Sequence, residues 1–139
     1  MKFSDVETFV NAGLTTKGYA PLPMLLPGPA TNTDLQGTSP DAMIFLGLGG
    51  GPGLDTEHLF DGTFVHVRVI GTQNDYGYAE ALAADVDAIF LALDRNGQIG
   101  TTGALFVTRT GGPPSLAEKD TADRYHFICD YVAEVQSGL

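Results

Sequence analysis

The sequence predicts an α+β fold: a mixed, mostly antiparallel sheet of about four strands, one long helix packed on one face, and a short N-terminal helix. Three observations carry this. Residues 63–70 and 123–136 alternate side chains with period two, as strands with two different faces do. Between them, Ala79, Leu82, Val86, Ile89 and Leu93 repeat at helical 3-4-3-4 spacing. The chain has 139 residues, 43% of them hydrophobic and 17% charged, enough for one domain with its own core. We read residues 1–139 as that single domain.

The elements follow in order. Ser4 with Glu7 has capping-box spacing, and Val6, Phe9, Val10 and Leu14 share a face, predicting a helix over residues 4–14 that Asn11 and Gly13 weaken at its end. Residues 15–41 form a proline-rich arm with Pro21, Pro23, Pro27, Pro29 and Pro40, a spacing that forbids a helix and any central strand. Leu22, Met24, Leu25 and Leu26 sit among these prolines, so residues 19–28 should lie extended on an apolar surface, of this domain or a neighbour. Residues 42–48 predict a buried strand and residues 63–70 its successor, joined by a connection of about fourteen residues. Asn74 or Asp75 then caps a helix over residues 76–94, with Glu80, Asp85 and Asp87 pointing away from the core. Residues 104–110 form a strand with Leu105 and Val107 inward. A turn-rich stretch, GGPPSLAEKD, leads to a last strand over residues 123–136. Its odd positions, Tyr125 to Val135, are apolar or aromatic and should face the core. The long helix is then the crossover between the middle strands.

Charge narrows the function. Seven Lys and Arg against seventeen Asp and Glu give a net charge of −10, and the basic residues are scattered singly. Gripping DNA or an anionic membrane needs clustered cations, so neither is expected. No window approaches 18 consecutive apolar residues, and MKFSDVETFV carries acids where a signal peptide carries its apolar run. The lone Cys129 excludes an internal disulfide framework and fits a reducing compartment, so a soluble, cytosolic chain is expected.

Catalytic and cofactor motifs are sought in vain. The glycine run Gly47–Gly53 ends in Leu54 and Asp55, not the Lys-Ser/Thr of a phosphate loop, and acids there repel phosphate. It reads as a loop at a strand end. His126 and Cys129 are three apart on a strand, so they face opposite ways and cannot share a metal. Cys129 itself reads as a small core residue without a cation to activate it. We expect no enzyme, no cofactor and no metal.

Whole segments carry a likeness instead. PDAMIFLGLGGGPG, FDGTFVHVRVIGTQNDYGYAEALAADVDAIFLAL and GGPPSLAEKDTADRYHFICDYVAEV resemble the tail terminator proteins of long-tailed bacteriophages, also called minor capsid or neck proteins. The likeness covers residues 40–136, including the outward basic Arg68 and the turn carrying Gly112, Pro113, Leu116 and Asp120. The arm before residue 40 is longer than in such proteins. The resemblance implies an architectural protein made in the host cytoplasm and found in the virion, at the head-proximal end of the tail. There it forms a ring, generally of six subunits, that stops tube polymerisation and docks the head-completion proteins. Its partners are then itself, the tail tube protein and the head–tail connector or stopper, with DNA passing through unbound, and no membrane. Leu22, Met24, Leu25, Leu26, His66 and Arg68 are the candidate subunit or partner interface. Asp55, Glu57, Asp61, Glu118 and Asp120 are the candidate acids lining the bore. A tail tube subunit or head–tail stopper is the alternative, and a small ligand-binding domain using the glycine run the remoter one.

Overall fold

A computed structural model describes residues 2–28, 42–50, 60–93, 98–99 and 102–136. Helix α1 spans Phe3–Thr16 and buries Val6, Val10 and Leu14. The Ser4–Glu7 box does not form its cap, because the helix starts at Phe3 and Ser4 already lies inside the first turn. Asp5 takes the role instead, its Oδ2 accepting the Lys2 backbone N–H at 3.0 Å. Nor does Gly13 end the helix. A Cβ there would sit 2.7 Å from Ile89, so the glycine lets the two helices cross closely.

Seven strands form one sheet: β1 (Met24–Pro27), β2 (Met43–Gly50), β3 (Phe60–Ile70), β4 (Gln98–Ile99), β5 (Thr102–Arg109), β6 (Ser115–Lys119) and β7 (Tyr125–Gln136). Their order is β1-β2-β3-β7-β5-β4, with β6 paired to β7. Only β1 and β2 run parallel; the other pairings are antiparallel. The four expected strands form its body, and β1, β4 and β6 are additions. β6 falls in the stretch read as turn: its five residues are all exposed, so no buried face announces it. The arm's extended segment is β1, which among the described residues is an edge strand, as its prolines require.

Helix α2 spans Tyr76–Leu91, three residues shorter than expected. Its cap is Asp75, whose Oδ1 accepts the Tyr78 N–H at 2.9 Å. It carries the chain from β3 to β4 and β5, and β7 later slots between β3 and β5. α1 and α2 cover one face of the sheet. Val6, Val10, Leu14, Leu82, Val86, Ile89 and Phe90 pack there against Ile44, Leu46, Val65, Val67, Val107, Phe127, Cys129 and Tyr131. Phe90 lies between Phe9 and Tyr131, with ring centroids 5.8 and 4.7 Å away.

Asp87 belongs to this core. The sequence reading puts it on the solvated side of α2, but Ala83 and Phe90, one turn to either side, are buried and carry it inward. Its Oδ1 accepts from Tyr131 Oη at 2.7 Å and Arg109 Nε at 3.0 Å, and a second guanidinium N–H binds Oδ2. Arg109 holds the carboxyl below its usual pKa range against burial, with Tyr131 assisting. Burial first, then Cys129 and Asp87, push the Tyr131 phenol far upward.

Candidate subunit interface

The other face of the sheet carries no helix among the described residues. Register sets it in rows across three strands: Met43–Ile70–His126, Phe45–Arg68–Ile128, Gly47–His66–Asp130 and Gly49–Phe64–Val132. Leu26 of β1 packs beside Met43, Phe45 and Ile70 in a second, smaller apolar cluster. Next to it lies a groove of about 440 Å³ lined by Gly28, Phe45, Gly47, His66, Arg68, Ile128 and Asp130 among others. Gly47, without a side chain, forms part of its wall. A Cβ there would meet the His66 Cβ at an ordinary 3.6 Å, so the backbone does not demand glycine.

Four of the six expected interface residues converge on this face. His66 and Arg68 alternate along β3, and Met24 and Leu26 along β1. Met24 is 50% exposed and Leu22, just before the strand, 40%. Leu25 is a correction: at 8% exposure it points to the helix side and joins the main core. Period two separates it from both its neighbours. Residues 24–27 of the arm therefore lie on their own domain.

Polar groups on this face are paired within the chain. His66 Nδ1 lies 2.9 Å from Asp130 Oδ1, both side chains exposed. Arg68 reaches Glu118 Oε1 at 3.4 Å and His126 Nδ1 at 3.1 Å. His126 is fully buried, with Nε2 2.8 Å from Asp120 Oδ2. A guanidinium can only donate, so Nδ1 accepts and the neutral tautomer with its proton on Nε2 satisfies both partners. Asp120 also accepts backbone N–H bonds from Ala122 at 2.8 Å and Arg124 at 3.0 Å, and Arg124 Nε at 3.2 Å. Burial presses its pKa upward, but His126 and the Arg124 and Ala122 bonds outweigh that and hold it low.

That network bears on the acids proposed for a bore. Asp120 is engaged inside the hairpin joining β6 to β7, with its side chain 9% exposed, so its charge is compensated locally. Glu118 is exposed beside Arg68. Asp61 stands in β3 opposite Val135, and Asp55 and Glu57 lie outside the described residues; the first four residues of the glycine run, 47–50, continue strand β2 rather than forming a loop. Buried Arg124 and His126 escaped the sequence reading. Their signal was the Asp120–Arg124 spacing, four residues apart across a tight turn.

Sequence comparison is silent: no known family's pattern matches, and no curated protein is similar. Structural comparison is not. A chain from the virion of a native gene transfer agent particle superposes with a TM-score of 0.61 and 16% identity, covering 92% of each chain. The two share a fold. At that identity the likeness is of architecture, over nearly the whole of both chains.

Proposed function

We propose that this protein is a structural, non-enzymatic component of a phage-like virion, and within it a tail terminator. The observation that carries this reading is the fold shared, over nearly the whole of both chains, with a gene transfer agent virion protein. The segmental resemblance over residues 40–136 supports the finer role. In it, copies close head-to-tail into a ring of about six. The grooved sheet face, with Met24, Leu26, His66 and Arg68, supplies a subunit or partner contact. The tail tube protein binds one side and the head-completion proteins the other.

DNA passes through this ring and must not stick. Ten excess negative charges per subunit serve that purpose, since like charge repels phosphate and no cationic cluster displaces counterions. Glu118 and the acids Asp55, Glu57 and Asp61 supply the bore charge, whereas Asp120 contributes structure.

Removing the gene from its phage or particle and imaging the products tests the reading. A terminator's loss gives tubes of unregulated length that fail to join heads, and the purified protein gives single rings. Filaments from the purified protein would instead mark a tube subunit. Normal-length tails that lack heads would mark a stopper.

A further inference from the structure

Pro23 and Pro27, beside and at the end of β1, fall in one phase, and the hydrogen bonding of the strand shows what that phase does. The Met24 N–H goes to the Ala42 carbonyl at 3.1 Å and the Gly28 N–H to the Leu46 carbonyl at 3.0 Å, both toward β2. Backbone groups of a strand alternate sides, so positions 23, 25 and 27 direct theirs away from the sheet. Two of those three are proline, Pro23 and Pro27, and carry no N–H. Leu25 alone keeps an outward donor. A proline at 24 or 26 would instead have cut the pairing with β2.

We propose that the prolyl arm is a strand-addition block: it ends the sheet at β1 with an edge that no strand of a second copy can join. A joining strand must both give and receive hydrogen bonds at alternate residues, and here it finds acceptors but a single donor. The exposed Pro27 ring also stands where the next strand's backbone would lie. The block answers a hazard built into the same segment. Met24, Leu25 and Leu26 form an uncharged apolar run on a sheet edge, and Leu22 and Met24 are exposed. Unguarded, that is the composition of an aggregating edge. β6, paired on one side only, is guarded differently, by Glu118 and Lys119 within a strand that has no proline. A protein that must stop at a defined assembly gains from such an edge, though the block stands on the hydrogen bonding alone and not on the terminator reading.

The test restores the missing donors. Full-length Pro23→Val/Pro27→Val and the single Pro27→Val are compared with wild type by size-exclusion chromatography with light scattering, thioflavin binding and electron microscopy across concentration. Circular dichroism monitors folding. Pro27 is exposed, so the single variant loses no core packing and decides the matter should the double variant fail to fold. Wild type keeps one size distribution, whereas the variants shift to growing, thioflavin-positive assemblies, the double variant further. Pro27→Lys, which restores the same donor but sets a charge on that edge, keeps the wild-type size. Folded Pro27→Val chains with the wild-type distribution at every concentration overturn the proposal. So does growth of Pro27→Lys assemblies, since they use another surface. Neither result touches tail-length control, which tests the terminator reading separately.

Discussion

The two faces of the sheet hold opposite kinds of structure. Beneath the helices, side chains from α1, α2 and six strands close one continuous core, with Asp87 its buried charge. On the other face a smaller apolar cluster borders an open groove, and exposed Met24 and Ile128 flank paired polar groups. Strand β7 serves both: Tyr131 meets Asp87 on the helix side, and His126 meets Asp120 on the other. The first contact spans 44 residues of sequence and clamps a helix to the sheet, while the second spans six and closes a hairpin. The face that the helices cover is finished within the chain. The other joins its strands through partly exposed polar pairs, His66 with Asp130 and Arg68 with Glu118, and retains room for a neighbour.

The largest expected effect lies on the covered face. Val86→Asp places a carboxylate where Val86 is 1% exposed, and it should cost several kcal/mol, about 3–5, because no cation stands ready for it. Thermal melting of the purified chain checks this, and a wild-type melting temperature would mean that α2 does not cover the sheet. Adjacent residues of β1 give the next and sharper comparison. Leu25→Ala should cost roughly 2–3 kcal/mol, the loss for a large apolar side chain in a core. Met24→Ala, one residue away on the other face, should cost under about 0.5 kcal/mol. Equal costs would erase the distinction between the faces. For the same reason, deleting residues 20–29 should destabilise the domain, since Leu25 and the β1–β2 pairing go with them.

Asp87 offers an intermediate effect with a pH signature. Asp87→Ala leaves the Tyr131 hydroxyl without its acceptor in the core, a loss of about 2 kcal/mol. Its carboxyl titrates lower in the folded than in the unfolded chain, chiefly because of Arg109. The carboxylate's contribution is therefore fully present above the ordinary carboxylate range and fades as pH falls through the folded value. Wild type should thus lose stability more steeply than Asp87→Asn on acidification below about pH 4. Parallel curves in acid denaturation would show that the Asp87 charge does not support the fold.

Legibility followed periodicity. β3, α2 and β7 were readable because each buries a face at its own period, the odd face of β7 from Phe127 to Ala133, and β2 because it is a continuous apolar run buried on both sides. β6 was not, since a fully exposed strand defined by backbone pairing leaves no apolar pattern. Asp87 was misplaced because a charge outweighed its position, although Ala83 and Phe90 already placed it in the apolar stripe. Its partners on β5 and β7 lie 22 and 44 residues away, beyond any local pattern. The candidate interface was half legible. Alternation along β3 put His66 and Arg68 together, but the direction of Leu25 depends on the register of β1 with β2, which proline spacing does not set.

The smallest expected effect on stability carries the largest on assembly. Gly47→Val adds a β-branched side chain to the central stretch of β2, where the Cβ has 3.6 Å of clearance from His66. Replacing glycine also lowers the entropy of the unfolded chain, so stability should change by less than about 1 kcal/mol and in the favourable direction. The methyls, however, occupy the groove between Phe45, His66 and Ile128. If that groove receives a neighbouring subunit or tail partner, the variant melts like wild type or higher yet fails to close rings or complete tails. Ile128→Ala, which widens the same groove, should weaken assembly without restoring it to the Gly47→Val chain. A folded Gly47→Val protein that assembles normally would put the contact elsewhere, and the open face would then owe its shape to the fold alone.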